Sequence, residues 1–444
     1  MLVDLYHRGP QGAGLAALVD GLVKSHKGPG AVTEVFNRDI IAGLNGTIAV
    51  GHTRYTTVEP NADGKSPTEN LQPIHNEEFA LAHNGQLNFS SNVMDTLFSA
   101  VKDKGFSDSR LLFEMIKMSN KGTLERRIAD ALEYIEGSSE IYGSYSLILA
   151  GEGKLIAIRD PHENRPLCLG KIKGNGGWVI ASETSPFKRT GVEYCDDIKP
   201  GQMIIIDEKK VRKTQLFEPK ERYRCVFDLV YMSRPDSYIF EGSSVGKFRE
   251  HTGMQLAIEH PAEADIVVPV LMSGMRASQG YAAQSGIRFE PSGFIYNSLV
   301  KRTFQMYDQE DREKGVDMKL VPDSEKIRGK RIVLVDDSIV RGTTMPRIVK
   351  QLFETGALEV HVRIASPPYI DICDLGIDTP VKEKLLAYRL NSDTEAIREH
   401  LSATSLGYLS LNGMLQVAPA PNDFYCIKCF GGRGLGKESF ATSR

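Results

Sequence analysis

Two adjacent carboxylates, Asp336 and Asp337, stand between a run of apolar residues at 331–335 and a short turn that ends at Thr344. Ligands of open α/β sheets bind at the carboxyl ends of strands, where this order of residues would place the acids. Backbone N–H groups of a Gly/Thr-rich turn at a helix start can bind a phosphate monoester, and two carboxylates can hold ribose hydroxyls and a Mg²⁺ ion. We therefore predict a site for a phosphorylated sugar, formed by Asp336, Asp337, Ser338, Ile339, Val340, Arg341, Gly342, Thr343 and Thr344.

The segments around this turn alternate between strand and helix patterns. Apolar runs predict strands at 266–271, 331–335 and 359–365, and amphipathic spacing predicts helices at 277–285 and 345–354. This alternation is typical of an α/β unit with a parallel, doubly wound sheet. An isolated Asp-Asp pair would be interpreted as a solvated acidic turn after a buried strand, but the complete series of strand, acid pair and turn favours the ligand site.

Four of the six cysteines could form a metal centre. Cys426 and Cys429 form a CxxC pair, which by itself is typical of a redox pair, a zinc site or a plain turn. With the distant Cys225 and Cys373 the pair gives four thiols, the number that a 4Fe–4S cluster or a Cys₄ zinc site requires. The remaining two, Cys168 and Cys195, are predicted to pack in the interior.

The first half of the chain has a different rhythm. Short β-rich segments separated by turn signals predict strands at 47–50, 79–82, 144–149, 155–158, 178–181 and 203–206, and helical patterns cover 109–118 and 124–135. Strands outnumber helices without βαβ alternation, which indicates a layered α+β domain. The polar stretch at 218–224 is a plausible boundary between the halves.

Bulk properties narrow the class of protein. The 444 residues suffice for two or three domains, and 41% hydrophobic with 25% charged residues is a globular composition. The formal net charge of -3 gives no indication of a nucleic-acid partner. No apolar run approaches the roughly 18–20 residues of a membrane span, and no signal peptide is recognised at the start. We expect a cytoplasmic protein with no membrane partner.

The turn resembles a known loop. The residues VDDSIVRGTT at 335–344 are similar to the loop that binds phosphoribosyl pyrophosphate (PRPP) in type I phosphoribosyltransferases, and specifically to that of the glutamine PRPP amidotransferase family. The segment CVFDLVYMSRPDS at 225–237 resembles the family's domain linker, and Gly-Ile-Asp at 376–378 fits as well.

Segments of the first half resemble the family's N-terminal-nucleophile (Ntn) glutaminase domain. They are His-Arg-Gly at 7–9, Gly-His-Thr-Arg-Tyr at 51–55, His-Asn-Gly at 83–85 and Ser-Asp-Ser at 107–109, with further matches at 159–161, 165–167 and 181–183. The resemblance implies an α+β Ntn glutaminase-like domain at 1–217 that lacks its first strand, an α/β type I phosphoribosyltransferase domain at 218–418, and a CxxC tail at 419–444.

The function implied is that of an amidophosphoribosyltransferase. Ammonia, from glutamine or free, displaces pyrophosphate from PRPP and gives 5-phosphoribosylamine, the first step of de novo purine biosynthesis. The resemblance also implies a homo-oligomer with Mg²⁺ and, at the four cysteines, a structural 4Fe–4S cluster, which we favour over zinc. The alternative is a non-catalytic paralogue that binds PRPP or a nucleotide and regulates a partner. A PRPP-dependent DNA-binding regulator is disfavoured by the net charge.

Residue roles follow from the same resemblance. Arg54 would hold the glutamine α-carboxylate, Asp108 would accept from its α-amino group, and Asn84 with the Gly85 amide would form the oxyanion hole. On the PRPP side, Ser273, Asp336 and Asp337 would bind Mg²⁺. The other expected PRPP contacts outside the turn are Arg302 and Lys319, with Lys301 as a substitute for a lost cation.

Three departures from the family pattern stand out. The family's nucleophile is an N-terminal cysteine, but this chain begins Met1-Leu2 and its first cysteine is Cys168. With that cysteine, a strand and part of a helix are missing before His-Arg-Gly, so we expect a shortened chain that cannot hydrolyse glutamine by cysteine chemistry. The acidic turn of the family is replaced by Leu-Met-Ser-Gly at 271–274, and the flexible loop at 297–304 is altered.

Overall fold

A computed structural model describes residues 1–54, 70–99, 105–120, 122–174, 176–208, 210–296, 320–379 and 381–435. The first half opens with a 3-10 helix at Leu2–Arg8, and its strands are β1 (Gly12–Val19), β2 (Leu22–Pro29), β3 (Ile48–Arg54), β4 (Ile74–His75), β5 (Phe79–Phe89), β6 (Ile141–Gly151), β7 (Lys154–Arg159), β8 (Cys168–Ile172), β9 (Trp178–Ala181), β10 (Val192–Asp197), β11 (Gln202–Ile206) and β12 (Val211–Gln215). Its α-helices are α1 (Val32–Val35), α2 (Arg38–Gly43), α3 (Ser91–Thr96), α4 (Asp108–Met118), α5 (Leu124–Gly137) and α6 (Ser185–Thr190).

The first half is layered around strand β5. Within the described ranges β5 belongs to an antiparallel sheet of order β12-β11-β7-β6-β5-β4, and β1 lies at the centre of a second sheet of order β2-β1-β3. Alternate residues of β5 face opposite layers, as the period of two requires. Phe79 and Leu81 pack in the core that contains α4 and α5, whereas Ala80 packs with the second sheet. Helices therefore cover one face and a second sheet covers the other.

The second half follows a two-residue strand, β13 (Arg224–Cys225), and a π-helical turn at Asp228–Met232. Its further strands are β14 (Tyr238–Ile239), β15 (Ser243–Ser244), β16 (Ile266–Pro269), β17 (Arg288–Phe289), β18 (Phe294–Tyr296), β19 (Leu320–Pro322), β20 (Arg331–Asp336), β21 (Glu359–Ile364), β22 (Ser405–Tyr408) and β23 (Tyr425–Cys426). Its α-helices are α7 (Val245–Glu259), α8 (Met275–Ser285), α9 (Ser324–Ile327), α10 (Met345–Glu354), α11 (Leu386–Arg389), α12 (Thr394–Leu401) and α13 (Leu411–Gln416), with short 3-10 turns at Lys382–Lys384, Asn422–Phe424 and Lys428–Phe430.

The main sheet of the second half is parallel, with order β17-β16-β20-β21-β22 in the described residues. Its central strand β20 is buried on both faces, which explains its unbroken apolar sequence. Val333 and Val335 pack in the core with α7 and α8, whereas Ile332 and Leu334 pack in the core with α10. The chain runs from β16 outward to β17 and returns to the other side as β20, so the strand order reverses between β16 and β20.

The predicted fold class is confirmed, and the predicted strands and helices coincide with observed ones, but two details differ. The strand predicted at 266–271 ends at Pro269, because the chain turns and Gly274 N–H donates to Val270 O over 2.9 Å. The hairpin of β1 and β2 was not predicted, since β1 reads GAGLAALV and is poor in β-branched residues. No helix in the described part of the chain is long and apolar enough to cross a membrane.

Candidate active site

The acid pair lies at the point where the strand order of the parallel sheet reverses. Asp336 ends β20, and the turn after β16 lies beside it, since the Ser273 hydroxyl donates to Asp336 Oδ1 over 2.7 Å. A side chain at Gly274 would come within 2.2 Å of Val335 O, so the two strand ends touch through backbone. Ligands of doubly wound sheets bind at such a reversal. The structure thus brings together Ser273, Asp336 and Asp337, the three predicted metal ligands.

Both carboxyls are buried and repel each other. Asp336 is 9% exposed and Asp337 is 5% exposed. Burial raises the pKa of Asp336 well above its ordinary value, and the charge of Asp337 adds to the increase. Burial also raises the pKa of Asp337, against lowering by hydrogen bonds, including the Ser338 hydroxyl that donates over 2.6 Å, and by the charge of Arg249. Negative charge on this buried pair is therefore energetically costly unless a cation binds beside it.

The turn after the acids presents backbone at the same edge. Gly342 has φ +71°, and a Cβ there would come within 2.5 Å of the Leu386 side chain. Both the backbone conformation and the lack of space therefore favour glycine at this position. Leu386 N–H also donates to Val340 O over 2.9 Å, which fixes the turn against α11. Thr343 and Thr344 are exposed, and helix α10 begins directly after them. The residues predicted to hold a phosphate thus form one short turn between the acids and a helix start.

A second candidate pocket lies in the first half. Arg54 ends β3 and Asn84 lies in the middle of β5. Arg54 Nη1 and Asn84 Nδ2 are buried, and neither atom has a hydrogen-bond partner in the described structure. Buried donors are nearly always satisfied in native proteins, so two unsatisfied donors indicate a place for acceptor atoms of a ligand. A carboxylate and a carbonyl oxygen would supply such acceptors.

Asp108 completes the predicted set at the first residue of α4. Its Oδ2 accepts from Leu87 N–H over 2.9 Å, which ties the helix start to β5. Burial lowers the pKa of Arg54, and the charge of Asp108 acts in the opposite direction. The buried His83 is 3.6 Å from Asp108 Oδ2 through its Nδ1 and hydrogen-bonds Ser109 over 3.0 Å. The structure therefore gathers the sequence-predicted residues Arg54, Asn84 and Asp108 around β5, with Gly85 next to Asn84.

Buried polar contacts join the two halves of the chain beside the first candidate pocket. Gly376 has φ +104°, and a Cβ there would lie 2.6 Å from the backbone of Gly85, so the second half touches the predicted oxyanion hole directly. Next to it, Leu375 O accepts from Arg165, whose Nη1 bonds Asp228 Oδ2 over 2.8 Å. Asp228 Oδ1 accepts in turn from Arg8 over 2.8 Å. The two halves therefore share one buried interface.

Comparison with known proteins decides the family. No protein-family model matches the chain. The amidophosphoribosyltransferase of Mycobacterium bovis is 38% identical over 451 residues, which cover 97% of this chain and 82% of the relative. The chloroplastic amidophosphoribosyltransferase of Glycine max is 37% identical over 440 residues, which cover 97% of this chain and 74% of the relative. This chain belongs to the amidophosphoribosyltransferase family.

Solved structures of family members show the same fold. The glutamine PRPP amidotransferase of B. subtilis, in complex with ADP and GMP, superposes with a TM-score of 0.84 at 37% identity, covering 98% of this chain and 93% of that one. A structure described as the allosteric regulatory enzyme of purine biosynthesis gives 0.85 at 37% identity, covering 98% and 92%. This amidophosphoribosyltransferase thus combines an Ntn glutaminase fold with a phosphoribosyltransferase fold and acts at the first step of purine biosynthesis. Nothing in the comparisons favours a non-catalytic paralogue.

The four cysteines of this amidophosphoribosyltransferase converge where the tail meets the linker. Cys225 and Cys426 are paired neighbours in the two-stranded parallel contact of β13 and β23. The Cys373 sulfur accepts from Leu375 N–H and Ile377 N–H, each over 3.4 Å. Burial raises the pKa of Cys429, and the charges of the other three thiols add to this increase. In the ranges that the structure describes, however, no three His, Cys, Asp or Glu side chains are placed so as to hold a metal ion.

Some predicted residues lie elsewhere. Arg302, Lys319 and Lys301 fall outside the described residues. The predicted packing role holds for Cys168, which is buried with its thiol 3.2 Å from Ala181 O, whereas Cys195 is exposed, because it lies at the bulge between Tyr194 and Asp196 of β10.

Sequence reasoning missed Arg249, whose buried guanidinium acts on Asp337. Its Nε donates to Leu229 O over 2.8 Å and its Nη2 to Ser233 O over 2.7 Å. Burial lowers its pKa to about 10. Arg249 lies in the middle of α7 without a surrounding motif, so only tertiary structure reveals its position.

Proposed function

We propose that the acid pair and the following turn form the PRPP site of this amidophosphoribosyltransferase. Asp336 and Asp337 hold the ribose hydroxyls and a Mg²⁺ ion, and residues 338–344 bind the 5-phosphate. Ammonia forms a bond to C1 of PRPP, the bond from C1 to the diphosphate oxygen breaks with its electron pair, and the nitrogen loses a proton. The observation that carries the proposal is the contact of Ser273 with Asp336 at the reversal of strand order.

The donor set fits Mg²⁺. A hydroxyl and two carboxylates offer only oxygen, which hard cations prefer, and Mg²⁺ commonly takes one or two carboxylates with substrate phosphates and water as its other ligands. A divalent cation would also relieve the repulsion that raises the pKa of Asp336. When bound, the cation would supply charge stabilisation for the departing diphosphate, while this chain's residues orient the sugar.

We propose that positively charged side chains of this chain stabilise the departing diphosphate. Arg302 and Lys319 are proposed to bind it, on the basis of the family resemblance, with Lys301 as an additional charge. Arg249 contributes indirectly as a positioning residue, since its guanidinium is held by two backbone carbonyls and acts electrostatically on Asp337. Positioning and charge stabilisation together would supply most of the rate enhancement.

Glutamine is the proposed ligand of the first half. Its α-carboxylate supplies an acceptor for Arg54 Nη1, its α-amino group a donor for Asp108, and its side-chain carbonyl an acceptor for Asn84 Nδ2 and the Gly85 amide. The two unsatisfied donors support this assignment. Cys168 is not proposed as a nucleophile, since its sulfur is buried against Ala181 O. We propose that ammonia, from glutamine or free, is the nitrogen source of the reaction.

A 4Fe–4S cluster is proposed at Cys225, Cys373, Cys426 and Cys429. The backbone N–H groups that donate to the Cys373 sulfur support it, because such donors stabilise a thiolate ligand. The cluster would join the tail, residues 419–444, to the linker strand and so stabilise the fold. A Cys₄ zinc site is the alternative, and measurement of bound iron, sulfide and zinc in the purified chain would decide between them.

The remaining assignments concern organisation. We place the glutaminase domain at 1–217, the phosphoribosyltransferase domain at 218–418 and the tail at 419–444, and we propose a homo-oligomer. The boundary at 217 follows the end of β12, and the tail returns to the linker through the β13–β23 pair.

Pyrophosphate release tests the proposed function. The full chain is incubated with PRPP, Mg²⁺ and either ammonium or glutamine, and pyrophosphate is measured. We expect release with ammonium, and the arm with glutamine shows whether the first half delivers ammonia to the same site. Absence of release with ammonium, despite tight PRPP binding, would contradict the proposal. That result would favour the alternative, a non-catalytic paralogue that regulates a partner.

A further inference from the structure

Three polar side chains form a hydrogen-bonded group next to the Asp108 carboxylate. His83 is 3% exposed and Ser109 is 4% exposed, so both lie in the interior. The Ser109 hydroxyl donates to Asp108 Oδ1 over 3.3 Å, and its oxygen lies within hydrogen-bond distance, 3.0 Å, of His83 Nδ1. The third side chain is Gln72, whose Nε2 donates to the Ser109 hydroxyl over 3.2 Å. The Ser109 hydroxyl therefore links all three other side chains.

His83 is held by hydrogen bonds at both its ring and its backbone. Its Nε2 donates to Ser144 O over 3.2 Å, because a carbonyl oxygen can only accept. Its backbone N–H donates to Gln72 Oε1 over 2.6 Å, and its carbonyl accepts from Gln72 Nε2 over 3.3 Å. The Gln72 amide takes the place of a neighbouring strand here, since β4 pairs with β5 only at Ala80 and Leu81. These bonds hold the imidazole in one orientation.

The same contacts fix both oxygens of the Asp108 carboxylate. Oδ2 accepts from Leu87 N–H over 2.9 Å and lies 3.6 Å from His83 Nδ1, and Oδ1 accepts from Ser109. The Asp108 side chain is 13% exposed whereas that of His83 is fully buried, so Asp108 is the member of this group that a ligand can reach. An acceptor that is already held in place binds a donor without the entropic cost of ordering it.

We propose that His83 and Ser109 are positioning residues that orient Asp108 toward the α-amino group of the ligand, and that they thereby set the selectivity of this pocket for an α-amino acid. The inference rests on the proposed glutamine pocket. A site built to bond a substrate N–H group rejects an analogue that lacks this group, because the acceptor of the site is then left unpaired. Selectivity of this kind depends on how firmly the acceptor is held.

The test compares glutamine with glutaric acid monoamide, which has the same carboxylate and carboxamide but no α-amino group. In calorimetric titrations of the full chain, wild type should bind glutamine about 10- to 100-fold more tightly than the analogue. Ser109→Ala should lower this ratio about two- to tenfold, the scale of one neutral hydrogen bond, by weakening glutamine alone. His83→Gln should lower the ratio in the same direction. General damage to the pocket would weaken both ligands alike.

Two control variants separate positioning of Asp108 from other effects. Ser107 caps the same helix, since its hydroxyl accepts from Arg110 N–H over 3.3 Å. Ser107→Ala should therefore loosen the helix start but keep the wild-type ratio of affinities. Arg54→Gln should weaken both ligands equally, because both carry the carboxylate that Arg54 is proposed to bind.

The outcomes distinguish this inference from the proposal on which it rests. A wild-type ratio in Ser109→Ala or in His83→Gln, with glutamine still bound, would overturn the inference and leave the glutamine pocket in place. An equal fall of the ratio in Ser107→Ala would overturn it as well. Absence of glutamine binding to wild type, or equal affinity for the analogue, would overturn the assignment of the pocket and this inference with it.

Discussion

The two candidate sites of this protein are opposite in chemistry. The first half presents unsatisfied donors, Arg54 Nη1 and Asn84 Nδ2, on antiparallel strands. The second half presents two buried acceptors, Asp336 and Asp337, at the tip of a parallel strand. Donors suit a ligand with a carboxylate and a carbonyl, whereas acceptors suit a cation and sugar hydroxyls.

The two sites also differ in how much each destabilises the protein when no ligand is bound. Unsatisfied donors lose hydrogen bonds, but adjacent buried carboxyls in addition repel each other. The donor pocket therefore needs a ligand for its specificity, and the acid pair needs a cation for its charge. Substitutions at one site at a time show whether the other site depends on it.

The largest effect is expected from Asp336→Asn combined with Asp337→Asn. Loss of both charges should lower the rate of ammonium-dependent pyrophosphate release by at least about 100-fold, the usual scale for removed electrostatic stabilisation. Glutamine binding should not change. Asp265→Asn is the control, because Asp265 pairs with Arg331 at the opposite end of β20. A similar loss in this control would indicate damage to the sheet rather than to the site.

Arg54→Gln should affect the other region. Removal of a charge-assisted donor should weaken glutamine binding by about 1.5–3 kcal/mol, or roughly 10- to 100-fold, as measured by calorimetry. Ammonium-dependent release of pyrophosphate should remain at the wild-type rate. Arg126→Gln, at an exposed position of α5, should change neither quantity. Equal glutamine affinity of Arg54→Gln and wild type would remove Arg54 from the pocket.

Asp336→Asn alone should stabilise the protein in the absence of Mg²⁺. The pKa of Asp336 is raised in the native state, so folding takes up a proton at pH values above the ordinary pKa of 3.8. The free energy of unfolding therefore falls as the pH rises through the raised pKa. At pH 7 the variant should gain about 1–3 kcal/mol in the free energy of unfolding, the scale of one buried polar group, and the gain should vanish below about pH 4. Denaturant titrations at both pH values measure it. A loss of stability at pH 7 would contradict the assigned repulsion.

Asp265→Asn should change the stability at pH 7 in the opposite direction to Asp336→Asn. Its hydrogen bonds with Arg331 lower its pKa, so its stabilising effect is present above the ordinary value and is lost as the pH falls. Asp265→Asn should therefore lower stability at pH 7, in the direction opposite to Asp336→Asn.

The smallest effect is expected where the two regions touch. A methyl group at Gly376 would meet the Gly85 backbone at 2.6 Å, so Gly376→Ala should shift the predicted oxyanion hole and weaken glutamine binding several-fold. Gly286→Ala is the matched control, since Gly286 also has positive φ, +74°, but open space around it. The control should leave glutamine affinity unchanged. Wild-type glutamine affinity in Gly376→Ala would contradict the assigned contact between Gly376 and the predicted oxyanion hole.

Features formed by residues that are close together in the sequence were predictable from the sequence. The series of apolar strand, acid pair, turn and helix was placed almost to the residue, because β20 is buried on both faces and α10 carries Met345, Ile348, Val349 and Leu352 on one face. Contacts between distant segments were not predictable from pattern. The Ser273–Asp336 bond joins residues 63 apart, and Arg249 acts electrostatically on Asp337 from the middle of a helix. The unsatisfied donor atoms of Arg54 and Asn84 also became visible only in three dimensions.

Calorimetric titration of PRPP into the full chain, with and without Mg²⁺, tests the central claim most directly. We expect PRPP affinity that requires Mg²⁺ in wild type and disappears in the double Asn variant of Asp336 and Asp337, while glutamine binding persists. Affinity that is independent of Mg²⁺, or unaltered by the double substitution, would contradict the assignment of the acid pair to the activated ribose.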